Sequence, residues 1–486
     1  MSSPLAKLAR IAAGAFAAAA IAATGANAAP AAPTPNSKLQ TPNSAPAAAL
    51  VIPTPAQVEW ADAEIGVMFH FDMPVFHPRY NFRRWGTHPP ASSFAPTALD
   101  TDQWLAASAK MGAKYAVLVA KHCSGFSLWP TAAHEYSVKN SPYKNGKGDI
   151  VAEFVASCKK YGIKPGIYAS SSANGFLHVD DPGRVKPSSP VTQKRYTEIV
   201  EQQLTELWTN YGELFEIWFD GGVLAKSKGG PDAAGLLRKL QPNAIVFQGP
   251  AEFTNLIRWV GNENGVAPDP CWATARETTN ANGTTEIKGL HGAPLEARWC
   301  PGEADFPLRL IRGVDGWFWR ADQRDRVLDL DKLLQRYEWS VGRNANMLLG
   351  IVVDPRGLVP DADVKRMAEF GAAVKRLYGS PLPAKTITGD SAGNALTLEL
   401  TAPASVDRLV LQEEIALGER VLEYVIKGKT AAGEWRELAR GTNIGHKRIV
   451  RFAPVTLNAV RLEITKSKAP PVLRTFSAFA VESTAK

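Results

Sequence analysis

Eight short runs of branched and aromatic residues lie between Ile65 and Val353, with amphipathic segments between several of them, and beyond about Pro381 the pattern changes to short alternating runs. Together these observations predict an α/β chain: a (β/α)8 TIM-like barrel followed by a C-terminal all-β sandwich. The barrel strands are expected at Ile65 to Phe71, Tyr115 to Lys121, Lys164 to Ala169, Leu214 to Phe219, Ala244 to Gln248, Ile257 to Gly261, Ala297 to Cys300 and Ala345 to Ile351. Helical spacing is clearest in Thr101 to Lys110, which aligns Trp104, Leu105 and Ala109, and recurs in Ile150 to Tyr161 and Tyr196 to Tyr211. The fifth to seventh connections are short or loop-like, so the barrel is expected to be irregular. A doubly wound open sheet has the same alternation, but no GxGxxG or Walker-type loop supports it.

The sandwich strands are expected at Ala395 to Leu400, Asp407 to Leu411, Val421 to Lys427, Arg448 to Phe452 and Ala459 to Ile464. Ahead of the barrel, Lys7 and Arg10 precede an Ala-rich apolar run from Ile11 to about Thr24 that closes on Ala26-Asn27-Ala28. This order is that of an export signal cleaved after Ala28. The domains expected are therefore a signal at 1–28, a flexible Pro/Ala/Ser leader at 29–50, the barrel at 51–380 and the sandwich at 381–486, with the mature protein periplasmic or secreted.

Composition excludes several function classes. With 55 Lys and Arg against 47 Asp and Glu, the net charge is only +8, and the basic residues are scattered rather than gathered. No nucleic-acid partner is expected. No segment after the signal is long and apolar enough to suggest a membrane partner. Four cysteines, Cys123, Cys158, Cys271 and Cys300, are too sparse for a disulfide scaffold and lack zinc-ligand spacing, so no metal and no cofactor are expected. Thirteen tryptophans suit a protein that stacks flat apolar faces, sugar faces among them, although most tryptophans fill cores.

Active sites of this fold gather at the carboxyl ends of the strands, and there the polar residues fall. His70 follows the first strand, His122 the second, Ser170 the third, Asp220 the fourth, Gln248 the fifth, Asn262 and Glu263 the sixth, and Glu303 the seventh. Asp220 stands out because Leu214 to Phe219 runs straight into it and Gly221-Gly222 follow, letting the backbone turn and leave the carboxylate open. Its bland alternative is a cap for the next helix. A pocket of carboxylates, histidines, Arg258 and the tryptophans Trp85, Trp129 and Trp218 is the set that sugar recognition and glycoside hydrolysis need.

Six motifs in order, Ile65 to Phe71, Lys121-His122 with Gly125-Phe126 and Leu128-Trp129-Pro130, Trp218-Phe219-Asp220-Gly221, Arg258-Trp259-Val260-Gly261-Asn262-Glu263, Pro301 to Asp305, and Ser340-Val341-Gly342-Arg343-Asn344, resemble the α-L-fucosidases of glycoside hydrolase family 29 over about residues 55 to 380. The Arg258 to Glu263 run is similar to the branch acting on α-1,3/1,4-linked fucose. The resemblance implies a retaining exo-glycosidase acting on a fucosylated oligosaccharide or glycoconjugate. Asp220 would be its nucleophile, with Glu263 in preference to Glu303 as acid/base. It also implies that His70 and His122 bind sugar hydroxyls, that Arg258 lies near the nucleophile, and that Trp85 and Trp218 wall the pocket.

Two departures from the family pattern fall on recognition of the sugar. Where the family shows His-His-Asp-Gly, this chain has His122-Cys123-Ser124-Gly125, so a thiol replaces one imidazole. After the third strand it reads Ser170-Ser171-Ser172-Ala173-Asn174-Gly175 in place of an aromatic and a basic residue. These changes leave open a related sugar such as L-galactose, an α-galactoside, or a non-catalytic sugar-binding protein on this scaffold. The sandwich resembles the discoidin-like or carbohydrate-binding modules of exported glycosidases. With no aromatic platform evident, its expected role is to pack against the barrel.

Overall fold

The computed structural model describes residues 50–261, 263–279, 285–309, 316–323, 326–390 and 393–480. The expected export signal, the leader up to residue 49 and Asn262 lie outside them. Eight parallel strands close into a barrel: β1 Ile65–His70, β2 Tyr115–Lys121, β3 Lys164–Ala169, β4 Glu216–Trp218, β5 Ile245–Phe247, β6 Leu256–Val260, β7 Gly302–Pro307 and β8 Ala345–Val352. Each pairs with its neighbour in sequence, and β1 pairs with β8 from Ile65 opposite Met347 to His70 opposite Val352. The expected open-sheet alternative is thereby excluded. Among the described residues, no helix is long and apolar enough to cross a membrane.

Alternation along the strands fills the barrel in layers. The floor holds Tyr115, Glu216 and Glu303, beneath Met68, Val117, Trp218 and Phe247. Gly66 makes the floor possible, since a Cβ built there would lie 2.3 Å from the Tyr115 ring. The helix Pro55–Ala63 crosses this end, started by a capping box between Thr54 and Gln57, and its Trp60 indole donates to Glu216 Oε2 at 2.9 Å. A second apolar layer, including Phe69, Trp104, Leu118, Phe154, Leu204 and Phe219, lies between the outer face of the sheet and the helices.

One barrel strand differs from expectation. The seventh is Gly302–Pro307, whereas Arg298–Trp299 pairs antiparallel with Thr274–Thr279 in a small three-stranded sheet. The apolar pattern favours Ala297 to Cys300 because the true strand carries Glu303 and Asp305, two carboxylates buried inside the barrel. Hydropathy cannot mark such a strand.

Beyond the helix Asp361–Tyr378, six antiparallel strands form the second domain: β9 Ala384–Gly389, β10 Ala395–Glu413, β11 Val421–Thr430, β12 Trp435–Gly441, β13 Arg448–Ser467 and β14 Leu473–Ala480. Their order is β9-β10-β13-β11-β12, with β14 also on β10. The expected pairs Ala395 to Leu400 with Asp407 to Leu411, and Arg448 to Phe452 with Ala459 to Ile464, are halves of the two long strands β10 and β13. Register shifts between Glu399 and Ala404 and between Val406 and Arg408 bend these strands. Both halves then enclose one core that joins Leu398 and Leu400 to Leu409, Leu411, Tyr424, Leu462 and Phe476.

This domain is seated on the barrel. Ile415 packs in the same apolar group as Trp60 and Ala61, while Val410, Ile449 and Phe479 join the layer around the barrel helices. Glu419 accepts from the backbone N–H of Ala273, Asn443 donates to the carbonyl of Cys271, and Asp62 takes both His446 and Arg474.

Candidate active site

Phe219 packs outward among the helices, so Glu216, Trp218 and Asp220 share the inward side at successive heights, with Asp220 at the mouth. Asp220 caps no helix; the helix that follows, Ala233–Leu240, is capped by Asp232. The Asp220 Oδ2 instead accepts a hydrogen bond from the Tyr168 hydroxyl at 2.9 Å. Its backbone turn is held from two sides. The Ser172 hydroxyl donates to the Asp220 carbonyl at 2.6 Å, and Gly221 N–H donates to Gln248 Oε1 at 3.0 Å. Gly221 and Gly222 have φ of 71° and 77°, which only glycine adopts without strain. The serine run and Gln248, read from sequence as pocket residues, thus fix the turn that presents Asp220.

Aromatic stacking links the pocket wall to that turn. His122, Tyr168, Trp218 and Phe247 stack in series across β2 to β5, with centroid separations of 5.7, 5.3 and 3.8 Å and interplanar angles of 17°, 17° and 7°. His70, the last residue of β1, lies 6.1 Å from His122 between ring centroids. Trp317 and Phe318, on the loop after β7, pack on these imidazoles: Trp317 at 4.8 Å from His70, and Phe318 at 5.5 Å from His70 and 5.1 Å from His122. Burial, reinforced by His122, holds the His70 imidazole well below its ordinary pKa and so keeps it neutral, able to donate from one nitrogen and accept at the other. Its Nδ1 has no hydrogen-bond partner among the described residues.

The rim carries Glu263. It is exposed, held at φ 57°, and its Oε2 accepts from Trp317 Nε1 at 3.2 Å, which connects it through Trp317 to His70. Glu303 lies elsewhere. It belongs to the strand rather than to its end, is fully buried, and accepts from Tyr115 at 2.8 Å and from the Trp218 indole at 3.0 Å. Burial raises its carboxyl to about 7, and the adjacent Glu216 is raised further by burial and by Glu303 itself. The expectation of Glu303 at the mouth is therefore corrected: it is a floor residue beneath Trp218.

Arg258 is corrected as well. It alternates with inward-facing Ile257 and points out of the barrel, where its guanidinium donates to the carbonyls of Gly289 at 2.9 Å, Trp272 at 2.6 Å and Cys300. Trp129 is buried among the helices with its indole on Glu206 Oε2 at 2.7 Å. Trp85 is half-buried on the loop after β1, 5.7 Å from the His178 ring. Neither Trp85 nor Trp129 joins the stack.

The departures noted in sequence have defined places. Ser124 donates to buried Asp72 Oδ1 at 2.7 Å. Cys123 is 8% exposed, and burial, with the Asp220 carboxylate next, pushes its thiol up to about 12. All four cysteines are free and buried. Sequence reasoning missed Tyr168, Trp317 and Phe318. Tyr168 could have been found by carrying the inward alternation of β3 to its mouth, whereas Trp317 and Phe318 lie in a loop with no periodic signal.

A family model described as alpha-L-fucosidase matches residues 44–378. Alpha-L-fucosidase 1 of Arabidopsis thaliana is 30% identical over 481 residues, covering 90% of this chain and 89% of the relative. A protein of Oryza sativa subsp. japonica named as an alpha-L-fucosidase is 31% identical, covering 90% and 87%. The crystal structure of a Bacteroides thetaiotaomicron protein named as an alpha-L-fucosidase superposes with a TM-score of 0.82 at 37% identity, covering 89% of this chain and 100% of that one. With a barrel mouth built around Asp220 and two imidazoles, and with these relatives over nearly its whole length, the chain is a glycoside hydrolase that belongs to the alpha-L-fucosidase family.

Proposed function

We propose that the protein is a retaining exo-α-L-fucosidase that removes α-1,3/1,4-linked fucose from oligosaccharides or glycoconjugates, with Asp220 as nucleophile and Glu263 as acid/base. The observation that carries this reading is the pairing of a turn-locked Asp220 at the barrel mouth with a second carboxylate, Glu263, on the same rim and tethered to the tryptophan that packs on His70. Asp220 attacks the anomeric carbon while Glu263 gives its proton to the departing oxygen, so the glycosidic bond breaks as the Asp220 ester forms. Glu263, now a carboxylate, takes a proton from water; the water attacks the same carbon and the ester breaks. Two inversions give net retention. His70 and His122 bind fucose hydroxyls, and Trp218 supports the wall from below.

The linkage reading rests on the Arg258 to Glu263 motif, and the export reading on the first 28 residues. Azide rescue tests the mechanism. With an aryl α-L-fucoside, Asp220→Ala plus azide should give β-fucosyl azide by one inversion, and Glu263→Ala plus azide should give the α-azide by two. An α-azide from Glu303→Ala in place of Glu263→Ala would reverse the assignment, and a fully active Asp220→Ala would end it. Comparing α-1,3/1,4- with α-1,2-fucosylated oligosaccharides tests linkage. N-terminal sequencing of the exported form, expected to begin at Ala29, tests processing.

A further inference from the structure

His122 and Cys123 leave the end of β2 side by side, and Asp220 reaches the same point from β4. One ligand atom from each, an imidazole nitrogen, the Cys123 sulfur and a carboxylate oxygen, lies within 4.8 Å of the other two. Asp220 lies 220 − 123 = 97 residues beyond the adjacent His122-Cys123 pair, so no spacing motif announces the three together. Sugar recognition has no use for the thiol, which is a poor partner for a hydroxyl, and nothing in the hydrolytic mechanism employs it.

We propose that His122, Cys123 and Asp220 form a tridentate site for a thiophilic divalent cation, zinc above all, at the mouth of the barrel. One nitrogen, one sulfur and one oxygen are a donor set that zinc accepts, and three protein ligands with one open position are the pattern of accessible zinc sites. Zinc bonds of about 2.0–2.3 Å place tetrahedral ligand atoms about 3.3–3.6 Å apart, so closing the site needs rotamer adjustments on the order of 1 Å. Neighbouring groups favour this. Tyr168 already holds Asp220 Oδ2, leaving Oδ1 to turn to the ion, and stacking on Tyr168 fixes the plane of His122. The ring of buried His70 lies 6.1 Å from that of His122.

Binding breaks the Cys123 S–H bond, forms a sulfur–metal bond and releases the proton to solvent; no electron moves. A hard cation such as magnesium gains nothing from the sulfur and is excluded by the same chemistry. Because the ion occupies the Asp220 carboxylate and the His122 ring, a sugar at Asp220 and the ion exclude one another. The site therefore goes beyond the hydrolytic reading: it gives the barrel mouth a second, inorganic ligand.

The test uses the full chain and no substrate, so failure of fucoside hydrolysis leaves it intact. Chelator-treated protein is titrated with cobalt(II), whose thiolate charge-transfer absorption reports sulfur ligation, and with zinc in a calorimeter. One equivalent of cobalt with a charge-transfer band in the wild type, a band lost in Cys123→Ser and kept in Cys158→Ser, is the expected result, together with at least tenfold weaker zinc binding by Cys123→Ser. No band in the wild type, or an unchanged band in Cys123→Ser, would overturn the proposal. Should Cys123→Ser fold poorly, X-ray absorption of the zinc-loaded wild type decides: one sulfur among nitrogen and oxygen neighbours supports the site, and a shell without sulfur removes it.

Discussion

The Tyr168 hydroxyl donates to Asp220 Oδ2 at 2.9 Å while the same ring is stacked between His122 and Trp218. One residue of β3 thus orients the carboxylate and a pocket imidazole together. Tyr168→Phe keeps the stack and removes only the hydrogen bond. A hydrogen bond to a charged group is worth about 1.5–3 kcal/mol, so kcat/KM on an aryl fucoside should fall about tenfold to a hundredfold. Thermal unfolding should move little. A large drop in melting temperature with unchanged kcat/KM would assign the hydroxyl a purely structural role.

Gly350 of β8 faces Trp317, and a Cβ built there would lie 2.3 Å from Trp317 Cζ3 and 2.6 Å from Cε3. Gly350→Ala should push Trp317 off His70 and carry Glu263 with it. Overpacking costs about 1–3 kcal/mol. The expected outcome is a folded protein with about tenfold lower kcat/KM. The loss should be absent when Glu263→Ala is the background. An equal loss in both backgrounds would show that Trp317 acts independently of Glu263.

The buried floor pair gives a pH signature. The Glu303 carboxyl is raised to about 7, so between the ordinary carboxylate range near pH 4.3 and about pH 7 the unfolded chain has lost this proton and the folded chain keeps it. Stability is full below that window and falls as pH rises through it, by an amount on the order of 3 kcal/mol. Glu303→Gln should flatten the fall, and melting curves of both proteins from pH 4 to 8 would measure the difference. Parallel curves would mean that the pair does not titrate there.

Arg258 is a stability residue in its present position. Arg258→Ala leaves the carbonyls of Gly289, Trp272 and Cys300 without the guanidinium that now reaches them. Trp272 and Cys300 are buried whereas Gly289 is exposed, and since each unsatisfied buried group costs about 1–3 kcal/mol and such losses overlap, a destabilisation of about 3 kcal/mol in denaturant unfolding is expected. KM of the folded fraction should be nearly unchanged. A raised KM with intact stability would return Arg258 to the pocket.

The sequence disclosed those parts of the site whose residues end apolar strands. His70 ends β1, His122 follows β2 directly and Asp220 comes two residues after β4, so periodicity alone brings them to one mouth. Glu303 was misplaced because a strand with carboxylates inside a barrel reads as a loop. The burial of Glu303 is tolerable only through the Tyr115 and Trp218 hydrogen bonds, and that of Asp305 through the Trp259 indole, which are tertiary facts. Arg258 was drawn to the pocket by its motif, although its odd place beside inward Ile257 turns it outward. The long bent strands β10 and β13 read as separate short ones because Pro403 and Pro454 fall at their bends.

Ile415, packed beside Trp60 and Ala61, bears on how the chain is made. The last barrel strand is complete once Val352 has left the ribosome, yet Phe479, which finishes the surrounding apolar layer, follows 479 − 352 = 127 residues later. At about 5–20 residues per second, the nascent barrel waits roughly 6–25 s with its underside uncovered. Slowing translation between Val352 and Phe479 should therefore lower the yield of soluble protein without altering a single residue.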